Sequence, residues 1–257
     1  MDAYGAAGKV NVCIQEGLNF VKQLGVKLLK KFSTLTVIFN LIKAKQLMKG
    51  KTVDMLLTYP LANDPTKIAA MRIINTIVTP FAVQARLNDL MAKLTLINTQ
   101  LVLKYGVTDE AGAILSNYGF LIAWTGDFDE GRRIGETSLK LAKKLKTGIP
   151  HTFMNYYNGL DHMKNPLHQS LEPFLRGYPT GFEVGDTVYG FYCCHFYLSI
   201  FYFIGLPLAN LLRNMDLFKQ FVSYFGSIST LILCQVHCLK TLFKPVTYAL
   251  RLKEKES

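Results

Sequence analysis

The stretch 111–145, AGAILSNYGFLIAWTGDFDEGRRIGETSLKLAKKL, leaves the chain little choice of fold. Apolar residues recur at helical spacing on both sides of Thr125-Gly126-Asp127. Ile114, Leu115, Tyr118, Leu121 and Ile122 come before it, and Phe128, Ile134, Leu139 and Leu141 after it. Gly126 is suited to close the first helix. Asp127 is suited to accept hydrogen bonds from the free N–H groups that open the second. Gly119, Gly131 and Ser138 are small, and the two glycines let the backbones come close. The expectation is two helices folded back on each other.

The flanks repeat the theme. Residues 3–24 read as an amphipathic helix stopped by Gly25, the second half of a hairpin whose first half is missing. That predicts an exposed apolar flank and self-association, and suggests a piece of something longer. Residues 26–31 and 34–49 read as helical, 51–57 as a short helix broken at Tyr59-Pro60. Asn63-Asp64-Pro65 starts a helix to about Val78, Pro80 starts one that runs to Tyr105, and Thr108 is placed to cap the next. Further pairs are expected from 149–163 with a helix from Pro166 to about Tyr178, and from Asp186 to about Ile204 with a helix beyond Pro207. Turn marks at Gly126, Pro166 and Gly205 lie 40 and 39 residues apart. Helix pairs at such a period indicate a repeat array. No segment alternates with a strand's period of two. The fold class expected is all-α, a TPR-like right-handed solenoid of antiparallel helix pairs over 1–225, with an apolar helical segment and basic tail over 226–257. Gly135 stands where such hairpins carry a large aromatic, which makes this one a degenerate relative.

Composition bounds the partners. Half the residues are hydrophobic, mean hydropathy is +0.19, and the formal net charge is +11. A solenoid covers inner helices on two sides and accounts for part of the hydropathy. Five Cys without regular spacing make no disulfide framework, and no cleavable signal opens the chain, so the cytoplasm is the expected setting. The Lys clusters 27/30/31, 43/45/49/51 and 140/143/144/146 lack interleaved aromatics and read as solvated helix faces, not as a nucleic-acid surface.

Motifs that suggest chemistry have plainer explanations. Gly50-Lys51-Thr52 resembles the end of a phosphate loop, but Lys45 stands where the loop needs Gly and no strand precedes it. Asp127-Phe128-Asp129 sits in a hairpin turn, where its acids cap a helix. Cys234, His237 and Cys238 share one helix face, and with Cys193 and Cys194 they are candidate zinc ligands. Their apolar surroundings favour buried thiols. His151, His162 and His168 fall near hairpin ends, in capping or surface roles. The uncharged runs 187–212 and 227–239 keep a membrane-associated protein as an alternative. Gly205 and Pro207 on the repeat register, and aromatics spread along the first run, speak against it. No catalytic triad, carboxylate pair or Gly-rich cofactor loop is present in the sequence, so neither an enzyme nor a cofactor is expected.

The run NYGFLIAWTGDFDEGRRIGETSLKLAKKL resembles the helical-repeat region downstream of the AAA-type ATPase module in large signalling proteins. Those proteins join a Ser/Thr kinase-like domain, the ATPase, a GAF sensor and a histidine kinase. Residues 3–28, 49–74, 162–192 and 203–212 match in the same order, so the resemblance spans about 3–224 and fades after 225. It implies the repeat segment alone, with no catalytic residue carried over. It also implies a regulatory scaffold that contacts protein partners, among them the ATPase or kinase modules of the same system.

Overall fold

The computed structural model describes residues 10–28 and 34–207, and every regular element among them is helical. The helices are α1 (Val10–Gln23), α2 (Thr34–Met48), α3 (Val53–Leu57), α4 (Pro65–Ile73), α5 (Thr79–Gln84), α6 (Asn88–Tyr105), α7 (Ala111–Trp124), α8 (Phe128–Leu145), α9 (Ile149–Gly159), α10 (Leu171–Glu183) and α11 (Thr187–Phe203). The chain divides into two compact units at Leu160. The boundary expected at 225 lies outside the described residues.

In the first unit, α7 and α8 form the expected hairpin. A Cβ on Gly119 would sit 2.7 Å from the carbonyl oxygen of Gly131, and one on Gly131 would sit 2.6 Å from that of Gly119. Only hydrogen fits on either side, so the two helices touch backbone to backbone. Ile114, Leu115, Tyr118, Ile122, Ile134 and Leu141 are buried there. Ser138 is also buried and donates to the Gly135 carbonyl at 2.6 Å. Gly126, at φ +96°, turns the chain between them. α9 then packs on both α7 and α8. It brings Tyr156 and Leu160 within 2.8 and 2.6 Å of where a Gly135 Cβ would stand. Tyr156 and Leu160 thus fill the space beside Gly135.

Chain order and spatial order agree from α6 through α9, but not before. α2 packs on α6, and α3 packs on α8. The apolar face of α1 is covered by α4, α5 and the wide turn Ile74–Val78, where Cys13, Ile14, Leu18 and Val21 are buried. The exposed flank expected for 3–24 is therefore absent from Val10–Gln23, where Val12 and Phe20 are the large apolar residues left outside. Residues 26–28 are not helical, contrary to expectation. The long helix expected from Pro80 is broken at Arg86, which adopts φ +56° without the help of a glycine.

The second unit's described α-helices are the pair α10–α11, preceded by the 3-10 segments Asp161–Met163 and Leu167–Ser170. α10 runs through Pro179 to Glu183, five residues past the end expected at Tyr178, and Gly185 (φ +75°) makes the turn into α11. Gly181 and Gly190 face each other across this pair. The turn between its helices therefore falls at Gly185. Gly205, which was expected to mark a turn, ends α11 at φ +73°, and Pro166 precedes a short 3-10 segment, Leu167–Ser170.

Candidate functional site

Helix α2 carries apolar residues on more than one face, because Leu35, Val37, Ile38, Phe39, Leu41, Ile42 and Leu47 fall all round it. Packing decides which face is covered. Asn40, Ala44 and Met48 are buried against the core. Gln100 of α6 donates its side-chain N–H to the Asn40 Oδ1 at 3.1 Å. That buried hydrogen bond fixes the rotation of α2 about its axis. The opposite face is left outside: Leu35, Ile38, Phe39 and Ile42 are 78, 47, 62 and 53 % exposed. Their spacing of i, i+3, i+4 and i+7 makes one continuous apolar stripe.

The stripe runs into a cleft of about 820 Å³. Ile42 and Lys45 come to it from α2 and Lys49 from the turn after it, Tyr118 and Ile122 from α7, and Asp127, Glu130 and Arg133 from the hairpin turn and α8. Arg133 grips Glu130 through two parallel bonds, Nε to Oε2 at 2.6 Å and Nη2 to Oε1 at 2.7 Å. The Glu130 carboxylate holds the guanidinium pKa above its ordinary value. Burial, then the charges of Glu130 and Asp127, push the Tyr118 phenol well up, so it stays a protonated donor. Lys45 Nζ lies 3.9 Å from Asp127 Oδ2, and both side chains are about half exposed, which makes this a weak pair.

Here a sequence expectation fails. Asp127 precedes α8, yet its side chain accepts no hydrogen bond from the helix N–H groups. It faces Lys45 across the cleft instead. Phe128, expected on the buried face, is 52 % exposed. Gly50 (φ +76°) closes α2, and the Thr52 Oγ1 caps α3 by accepting from the Met55 N–H at 3.3 Å. Gly50-Lys51-Thr52 is thus a helix junction forming one rim of the cleft. A separate cleft of about 750 Å³ is lined by Ile14, Leu18 and residues 86–90.

A buried polar network was missed by the sequence reading. Asn117 donates to the Asn75 Oδ1 at 3.3 Å, and Asn155 donates to Ser116 Oγ at 2.9 Å and to Asn117 Oδ1 at 2.7 Å. His151 Nε2 lies 3.4 Å from Asn117 Oδ1. His151 belongs to this interior network, not to a surface or cap, and desolvation lowers its pKa to about 3. The Ile74–Val78 turn has the wider i to i+5 pitch and carries Asn75 inward. Three asparagines scattered over 80 residues give no periodic signal that would reveal such a cluster.

Comparisons with protein-family models, curated proteins and solved structures find no match. Function is therefore argued from the site itself.

The remaining candidates separate as follows. Cys193 and Cys194 are buried on α11, and desolvation pushes both thiols up, away from the thiolate that zinc needs. Cys234, His237 and Cys238 lie outside the described residues, among which no group of three metal-ligating side chains occurs. His162 and His168 are exposed, as are Lys140, Lys143, Lys144 and Lys146, and Thr108 Oγ1 makes no hydrogen bond among the described residues. No described helix is long and apolar enough to cross a membrane; the run 227–239 is outside the described residues.

Proposed function

We propose that this chain is a non-catalytic helical-repeat scaffold, TPR-like in kind, whose work in the cytoplasm is contact with another protein. One observation carries the reading: the uncovered stripe Leu35, Ile38, Phe39 and Ile42 on a helix whose other face is packed and whose rotation is locked. Apolar side chains gathered on one outer face mark contact surfaces more often than singly scattered ones do. Sequential stacking of α6, α7, α8 and α9 supports a repeat array. The resemblance to the region between an ATPase switch and its signalling domains supports a regulatory role, with ATPase or kinase modules of the same system as partners.

The test is a photo-cross-linking phenylalanine analogue placed at Phe39 in cells, with the same analogue at exposed Lys140 of α8 as control. Adducts to another protein from position 39 and none from 140 are expected. Equal labelling from both positions, or none from 39, would overturn the reading.

A further inference from the structure

We infer that the α2 stripe and the cleft at its end form one groove for an amphipathic α-helix of a partner protein, acidic at the end that reaches the cleft. This rests on the scaffold reading and names the class of partner. The stripe from Leu35 to Ile42 covers two helical turns, and the same face continues through Lys45 to Lys49. At 1.5 Å per residue that is a track of roughly 21 Å, the length of a helix of about 14 residues. A helix with apolar residues at i, i+3 or i+4, and i+7 fits such a face.

Charge selects among occupants. α2, TLTVIFNLIKAKQLM, has no acidic residue, and Lys45 and Lys49 are both exposed on the groove. Lys45 has Asp127 at the weak distance of 3.9 Å, and Lys49 has no ion pair among the described residues. An incoming carboxylate meets two cations there. A second copy of this chain would bring a like-charged α2 and a net charge of +11 to the same place. An anionic lipid surface would match the lysines. It is flat, however, and the cleft is concave. The Asn40–Gln100 bond and the Arg133–Glu130 fork hold both sides before anything binds, which lowers the ordering cost.

The experiment uses the full chain and a fluorescein-labelled synthetic peptide of about 14 residues, helical, with Leu at the four stripe-matching positions and Glu at one end. A second peptide replaces each Glu with Lys. Binding is read by anisotropy, and circular dichroism confirms that each variant stays helical. The acidic peptide is expected to bind about tenfold tighter than the basic one, with a steep fall in salt. Phe39→Glu should abolish binding, and the double variant Lys45→Glu/Lys49→Glu should erase or reverse the preference. Equal affinity for both peptides, or no binding of either, would refute the acidic-helix inference. The cross-link at Phe39 would still decide the scaffold reading independently. Binding to phosphatidylserine–phosphatidylcholine vesicles that Phe39→Glu removes, without peptide binding, would replace the inference with a lipid surface. Dimerisation removed by Phe39→Glu would replace it with a second copy.

Discussion

At Gly119 and Gly131 a single methyl group decides whether α7 and α8 can meet. Gly119→Ala would place a Cβ 2.7 Å from a backbone oxygen, and Gly131→Ala would place one 2.6 Å from another and 2.8 Å from the Ala123 nitrogen. Backbone cannot swing aside as a side-chain tip can, so each should cost about 2–3 kcal/mol by urea denaturation. Gly126→Ala meets nothing within 4 Å and bears only its φ of +96°, so about 1 kcal/mol is expected there. His151 sets a pH dependence. The folded protein holds the ring neutral down to about pH 3, while the unfolded chain takes up a proton near 6.5. Between those values the unfolded state binds more protons, so stability rises with pH; it is full above about 6.5 and lost on acidification. The slope from this group is about 1.4 kcal/mol per pH unit, and His151→Gln should remove that share of the slope in urea titrations between pH 7 and 4. The glycine pair was legible in the sequence because small residues on two facing helices have few other uses. The network around His151 was not, because its members come together only after the helices pack.

At the level of elements, the two aspartates expected to start helices behave differently. Asp64 accepts from the N–H groups of Thr66 at 2.9 Å and Lys67 at 3.3 Å, and its pKa is lowered chiefly by the Thr66 hydroxyl bond. Asp127 makes no such bond. Asp64→Ala should therefore lower the thermal midpoint of the protein measurably, and Asp127→Ala should leave it nearly unchanged. Pro65 after Asp64 was visible in the sequence, but the Lys45 toward which Asp127 turns lies 82 residues away and comes near only once the helices pack. The interruption at Arg86 was hidden for a related reason: residues 84–88, QARLN, contain neither Gly nor Pro. Lys146, at φ +58°, ends α8 where a glycine would rest unstrained. Lys146→Gly should raise stability by about 0.5–1 kcal/mol in the same denaturation assay. The outward stripe of α2 was visible as apolar periodicity, but its exposure was not. Periodicity shows that a helix has an apolar face, and only the position of α6 says which face is covered.

For the molecule as a whole, the division at Leu160 gives each unit its own helical packing. A chain ending at Leu160 keeps α1 to α9 and their shared core, so it should unfold cooperatively with a helical circular dichroism spectrum. Loss of a single sharp transition on that truncation would show that the first unit depends on the second. The all-helical class was legible from end to end of the described residues, because no segment offered strand alternation. The regular 40-residue spacing was less informative, since Gly126 turns within a pair and Gly205 ends one. A tight glycine seam has one more effect on how the groove meets visitors. With main chain pressed on main chain at residues 119 and 131, the α7–α8 hairpin cannot slide or roll without collision. Tyr118, Glu130 and Arg133 thus stand on an anvil, and a guest must conform to it rather than reshape it.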